Sequence, residues 1–306
     1  MIEGAGRPDA TSVALFLVAA TLGGSNFVAV RFSNAELDPF WGAALRFGLA
    51  AALFVGIALV LRLRWPRGRL LADTALYGAL AFAASYAPFY WALVRVTAGV
   101  ATVVTAAVPL VTLLLAAAQG MERLTARAVA GALVAIAGIG WMAVGPQDID
   151  LPLTALLALL LAVLAVAQSI ILGKRLAVNH PVMTNAVGMT TGTLLLLAIS
   201  LLAGEEWMVP RDTEAVRALV YLVTVGSVGL FVLVLLLMRR WTASAGSYMF
   251  VLFPVVALLV GAWLADEEIT AQAVIGAALV IVGVWFGALA PDRRRPDVGA
   301  APTAGA

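Results

Sequence analysis

Long apolar runs separated by short polar connections organise this chain. Ten runs stand out, at about 11–33, 39–61, 71–94, 97–118, 124–144, 151–174, 180–203, 214–238, 241–264 and 270–290. Each approaches or exceeds the ~20 residues a helix needs to cross ~30 Å of hydrocarbon. The pattern predicts ten transmembrane helices. The connections are short, so sequential helices are expected to run antiparallel.

The apolar pattern also repeats. Residues 95–146 align without a gap on residues 240–291, with nineteen identities at an offset of 145. Rare residue types carry the match: Arg95/Arg240, Thr97/Thr242, Pro109/Pro254, Glu122/Glu267, Gly131/Gly276, Gly138/Gly283 and Pro146/Pro291. Each half holds five spans. Five crossings reverse direction, so equivalent helices in the two halves point oppositely. The expected fold is all-α and integral to the membrane, with ten transmembrane helices as two inverted five-helix repeats. The repeats are placed at 11–145 and 150–290, with 291–306 as a disordered cytoplasmic tail rich in Arg, Pro, Ala and Gly. Inverted repeats are a common transporter architecture, with the substrate held between the halves.

Composition agrees with lipid as the main solvent. The chain is 63% hydrophobic and 12% charged, with mean hydropathy +1.03, too apolar for a soluble domain to hide. Charge fixes an orientation. With the N-terminus inside, inside segments hold fourteen Lys and Arg and outside segments four, namely Arg31, Arg95, Arg211 and Arg217. That bias predicts a multi-pass protein of the inner (cytoplasmic) membrane with both termini cytoplasmic. It also accounts for the pI near 9.3 without any nucleic-acid partner. Cys is absent and His180 is the sole His. This leaves no thiol nucleophile, triad or multi-His metal centre, and no Walker-type glycine loop occurs. The expectation is a protein that is not an enzyme and has neither cofactor nor metal. Its partners are a small-molecule substrate and the lipid bilayer, and its oligomeric state is left open.

Several stretches resemble the ten-helix EamA-type exporters of the drug/metabolite transporter superfamily. They are Gly24-Ser25-Asn26-Phe27, Leu45-Arg46-Phe47, Ala92 through Pro109, and Glu122-Arg123-Leu124-Thr125, echoed later by Asp266-Glu267-Glu268-Ile269-Thr270. The resemblance covers residues 11–290. It implies export, with a substrate range across amino acids, nucleosides, drugs and other metabolites.

Candidate binding residues follow from polarity and depth. Arg46 is the one charge deep in a span, about 10 Å below the outer end of the second helix. It is read either as a cation near a substrate carboxylate or as a tie between helices. Asn26, Tyr86, Tyr90 and Thr105 form a polar tier in the outer leaflet. Gln168, Ser169, Asn185, Ser247 and Tyr248 form one in the inner leaflet. Inversion predicts two such tiers. Phe82, Tyr86 and Tyr90 recur at i, i+4 and i+8, one stripe along the third helix. The substrate-binding set is therefore Asn26, Arg46, Phe82, Tyr86, Tyr90, Thr105, Gln168, Ser247 and Tyr248. Interhelical hydrogen bonding and packing are the competing roles for each. Pro88, Pro109 and Pro254 are read as kinks or hinges. Gly131, Ala135 and Gly138, with Gly276 and Gly283, are read as close-contact faces within or between chains. No Asp or Glu falls within the body of a span; Asp73, Glu122 and Asp266 sit at span ends. That argues against cationic-drug efflux and carboxylate-coupled antiport. The leading function is export of small neutral or zwitterionic metabolites, amino acids first, by alternating access around a central cavity. Neutral drug or nucleoside efflux, and a non-transporting scaffold or sensor, are the rivals.

Overall fold

A computed structural model describes residues 9–93, 95, 104–143, 152–265 and 271–289. The tail at 291–306, the start of the fourth predicted run at 97–103, and the acidic positions Asp148, Asp150 and Asp266–Glu268 lie outside them. Within the described residues the chain forms ten helical spans. They are α1 (Ala10–Ser33), α2 (Pro39–Val60), α3 (Arg69–Gly78, Ala79–Ala84 and Tyr86–Leu93), α4 (Val108–Ala118) and α5 (Ala126–Ala143). The second set is α6 (Leu153–Arg175), α7 (Pro181–Ala203), α8 (Thr213–Val223, Thr224–Gly229 and Leu230–Arg240), α9 (Ala243–Ser247 and Met249–Ala265) and α10 (Ala271–Val284 and Trp285–Leu289). Helices α1, α2, α3, α6, α7 and α8 are long and apolar enough to cross a membrane. The described parts of α4, α5, α9 and α10 are shorter apolar helices.

Helix ends follow local chemistry. Asp9 caps α1 by accepting from the Ser12 N–H, and Asp212 caps α8 through the Glu214 and Ala215 N–H groups. Pro39 and Pro181 open α2 and α7, where a missing N–H costs nothing. His180 accepts from the Val182 N–H at the start of α7, a capping role. The outward faces are apolar: Leu59, Val60, Leu153, Leu201 and Leu202 are largely exposed, as lipid-facing positions should be.

Packing obeys the inverted repeat. Helix α2 lies against α7, and α5 against α10, each with its own counterpart. Helix α1 packs on α8 and α9, and α6 on α3 and α4. Exchanging the halves leaves this pattern unchanged. The α5/α10 crossing shows why small residues recur there. A Cβ on Gly131 would lie 2.8 Å from the Gly283 carbonyl oxygen, and one on Gly138 would lie 2.8 Å from that of Gly276. These two approaches are mates under the 145-residue offset, so the glycine face serves contact within the chain.

Both halves also carry a π-helical turn at the same place. Ala79–Ala84 and Thr224–Gly229 are 145 residues apart. A π turn bonds i to i+5 and marks functional sites more often than chance. In lipid, any backbone group freed from the ladder needs another partner. The equivalent carbonyls of Ala81 and Gly226 each have one: Ser85 Oγ donates to the first, and Asn26 and Arg46 donate to the second.

The prolines sit at different places relative to the helix breaks. Pro109 follows a break in the helical path. It sits in the first turn of α4, just after a turn at Ala106–Ala107. Pro254 lies inside the longer helix of α9, whose break falls earlier, at Tyr248. The repeat-equivalent prolines therefore sit at different distances from the nearest helix break. Pro88 lies in the last helix of α3, shortly after the π turn.

Candidate functional site

Helices α1, α3, α4, α6, α8 and α9 enclose a cavity of about 440 Å³, to which α2 contributes Arg46. These are three repeat-related pairs, so the cavity lies between the halves. Its surface is mostly aliphatic and aromatic, with Phe27, Phe89, Phe231, Phe250 and Phe253 on several sides. Polar groups converge on one region of it.

Arg46 sets that region. The residue is 2% exposed. Its Nε donates to Ser227 Oγ at 2.9 Å, and its Nη2 donates to the Gly226 carbonyl at 2.9 Å. Asn26 Nδ2 donates to the same carbonyl at 3.0 Å. The π turn of α8 thus ties α1 and α2 at one point. Glycine leaves room there: a Cβ at 226 would displace the Asn26 amide. The Arg46 guanidinium also lies 5.0 Å from the Phe47 ring centre and 5.9 Å from that of Tyr86, within cation–π range. A guanidinium has five N–H groups, so donors remain after its two bonds to α8. Among the described residues no carboxylate lies within 4.0 Å of it. Among the described residues it is also the one charged side chain that is buried.

Of the nine residues read as binding residues from the sequence, Asn26, Arg46, Tyr86, Tyr90 and Thr105 line the cavity. Four do not. Phe82 is fully buried against Phe47 and Phe231. Phe47 packs on both Phe82 and Tyr86, and Phe82 sits behind the cavity wall rather than on it. Gln168 accepts from Gln119 Nε2 at 2.9 Å. Ser247 donates to the Ser244 carbonyl. Tyr248 donates to the Ala128 carbonyl at 2.6 Å, tying α9 to α5. Asn185 is fully buried, and both its amide atoms lack a partner. Ser169 does line the cavity.

Other lining residues escaped the sequence reading. Tyr77, Ala81, Ser85 and Phe89 form the cavity face of α3. Their i+4 spacing was visible, and their stripe runs beside Tyr86 and Tyr90, which line the cavity as well. Asn34 follows α1 and had no signal beyond its polarity.

The two ends of the cavity differ. An even number of spans puts both termini on one face, here termed the terminal face. Toward the other face, Phe27, Val30, Asn34, Phe89 and Thr105 are only partly buried. Toward the terminal face, Ser169, Gly173, Leu235, Met238 and Met249 are buried. Polar ties seal that end. Lys174 Nζ donates to the Met238 and Trp241 carbonyls at 2.6 Å each, the favourable place for a cation at a helix C-terminus. Glu122 accepts from the Ser244 N–H and hydroxyl. Arg175 donates to Gln119, and Arg240 pairs with Asp9 at 3.2 Å. On the opposite face, Glu205 accepts from the Phe40 and Trp41 N–H groups, and Trp41 stacks on Trp207. These contacts join α2 to the α7–α8 connection. They do not cross the cavity.

The family model of EamA-like transporters matches this sequence twice, at residues 10–144 and 153–288. The chain belongs to the EamA-like transporter family. It is 31% identical over 266 residues to a probable terminal-alkyne amino-acid exporter of Streptantibioticus cattleyicolor, covering 86% of this chain and 88% of that protein. It is 26% identical over 286 residues to a probable amino-acid metabolite efflux pump of Escherichia coli K12, covering 89% and 93%. One solved crystal structure shares the fold at TM-score 0.77 and 20% identity, covering 93% of this chain and 98% of that one. This EamA-like protein is therefore a multi-pass membrane transporter.

Proposed function

We propose that this transporter exports small zwitterionic metabolites, amino acids first, by alternating access around the central cavity. The observation that carries the reading is Arg46, a buried cation in a mostly apolar cavity with no carboxylate beside it. An anionic group on the substrate supplies the missing counter-charge, and a guanidinium binds a carboxylate through two parallel N–H bonds. The tyrosines and Asn26 then surround the α-carbon, and the aromatic walls take an apolar side chain. The names of the two relatives, a probable terminal-alkyne amino-acid exporter and a probable amino-acid metabolite efflux pump, support the same class. The basic residues favour cytoplasmic termini. On that reading the sealed end faces the cytoplasm and the partly open end faces outward.

The test is flux. Purified protein is reconstituted in liposomes loaded with a panel of labelled amino acids. Release above that from empty-membrane controls is expected for at least one of them. No release across a broad panel sinks the reading. The aromatic walls favour a second reading, efflux of planar neutral nucleosides or drugs. Resistance profiling of cells that overexpress the chain separates the two.

A further inference from the structure

A second hollow lies on the outside of the bundle, away from the cavity. It is a groove of about 430 Å³ between the start of α2, the end of α3 and the start of α6. Small residues make its floor: Ala87, Pro88 and Ala158. Large ones make its walls: Phe40, Trp91 and Leu161. From Thr154 to Leu161 it follows α6 for about 10 Å at 1.5 Å per residue. It therefore runs from the membrane surface opposite the termini into the hydrocarbon. Leu157 and Leu161 beside it are more than half exposed, so no part of the described chain covers it. In a bilayer its cover is lipid.

A cation stands at the surface end. The Arg95 guanidinium carbon lies 3.7 Å from the centre of the Trp91 ring, and Nη1 donates to the Trp91 carbonyl at 2.7 Å. The side chain is thus held in place over a ring that forms the groove wall. It is exposed, and among the described residues no Asp or Glu lies within 4.0 Å of it. Its repeat mate behaves otherwise: Arg240 pairs with Asp9 at 3.2 Å. Among the described residues the first-half position has no acidic partner, and it stands next to an apolar trough.

We propose that this groove is a phospholipid site, with one acyl chain in the trough and the phosphate on Arg95. The two features match the two ends of one ligand. Apolar walls suit the chain, and a pre-oriented guanidinium suits phosphate by bidentate hydrogen bonding. Stacking on Trp91 limits the rotamer freedom that Arg95 loses on binding. The exposed Thr154 hydroxyl, at the same end, is placed beside the glycerol region.

Native mass spectrometry of the full chain in a sugar-headed detergent tests this. Phosphatidylglycerol, diacylglycerol of the same chains, and inorganic phosphate are titrated separately. The wild type is expected to bind phosphatidylglycerol with one site stronger than the rest, and to bind the other two far more weakly. Arg95→Gln should weaken that site about tenfold, as expected for a lost charge-assisted contact, while Arg95→Lys retains most of it. Ala158→Phe fills the trough and should remove the site with Arg95 intact. Unchanged occupancy in Arg95→Gln or in Ala158→Phe overturns the proposal. So does diacylglycerol bound as tightly as phosphatidylglycerol, which would make the groove a general apolar contact. None of these readouts depends on the transported substrate.

Discussion

Arg46 joins structure and substrate in one side chain. Two of its N–H groups hold the π turn of α8, and the residue lines the cavity. Its two roles separate by experiment. Arg46→Gln should raise the KM for an amino acid about 10- to 100-fold, the effect of losing a hydrogen bond to a charged partner. For the corresponding amino-acid amide, which lacks the carboxylate, KM should change much less. Equal loss for both would make Arg46 a structural tie. The sequence exposed this residue because a charge deep in a span is expensive. It exposed Asn26, Tyr86, Tyr90 and Thr105 by polarity and depth. Gln168, Ser247 and Tyr248 carried the same signal but bond to Gln119, Ser244 and Ala128 instead. Depth along a helix is readable from residue counts. Rotation about the helix axis is set by neighbours that the sequence does not place.

Elements were legible to the extent that they are regular. Six spans match their apolar runs to within a few residues, because run length and bilayer thickness fix them. The π turns of α3 and α8 were not legible, since neither Ala79–Ala84 nor Thr224–Gly229 has a residue type that demands one. Phe82 was misplaced because it fills the space between Phe47 and Phe231 instead of facing the cavity. The proline pair shows a related limit: identity at offset 145 does not fix where the surrounding helix breaks. The glycine faces were legible as faces but not as a pair. Their contact yields a stability prediction. On Gly131→Ala the new Cβ meets the Gly287 amide nitrogen at 2.6 Å, and on Gly138→Ala it meets the Gly276 carbonyl oxygen at 2.8 Å. Each variant should lose about 1–3 kcal/mol, read as a fall in the unfolding midpoint in detergent. Gly140→Ala, on the same helix with nothing within 4 Å, should be neutral or slightly stabilising. Equal effects at all three positions would mean that α5 and α10 do not touch as described.

The whole molecule follows from one unit used twice in opposite orientations. The repeat at offset 145 announced this, and the exchange-symmetric packing of α1–α5 on α6–α10 realises it. What symmetry does not announce is which end is sealed. Lys174, Glu122 and Arg175 close the terminal end in this structure, while the residues toward the opposite face are only partly buried. Energy coupling belongs to this scale as well. Among the described residues no buried carboxylate lies along the cavity. Flux at a fixed substrate gradient should therefore change little when a pH difference is imposed. Uphill accumulation driven by that difference alone would reveal a proton site elsewhere in the chain.

Access from the two faces tests alternating access most directly. The chain has no Cys, so single introduced thiols report without background. Asn34→Cys lies toward the partly open end of the cavity, and Ser169→Cys toward the sealed end. An impermeant thiol reagent is added to vesicles of each orientation, with and without an amino acid that the protein transports. The account predicts that position 34 reacts only from the face opposite the termini, and position 169 only from the terminal face. Substrate should change the two rates in opposite directions as it shifts the population between states. Reaction of both positions from one face, or rates that substrate leaves unchanged, would contradict it.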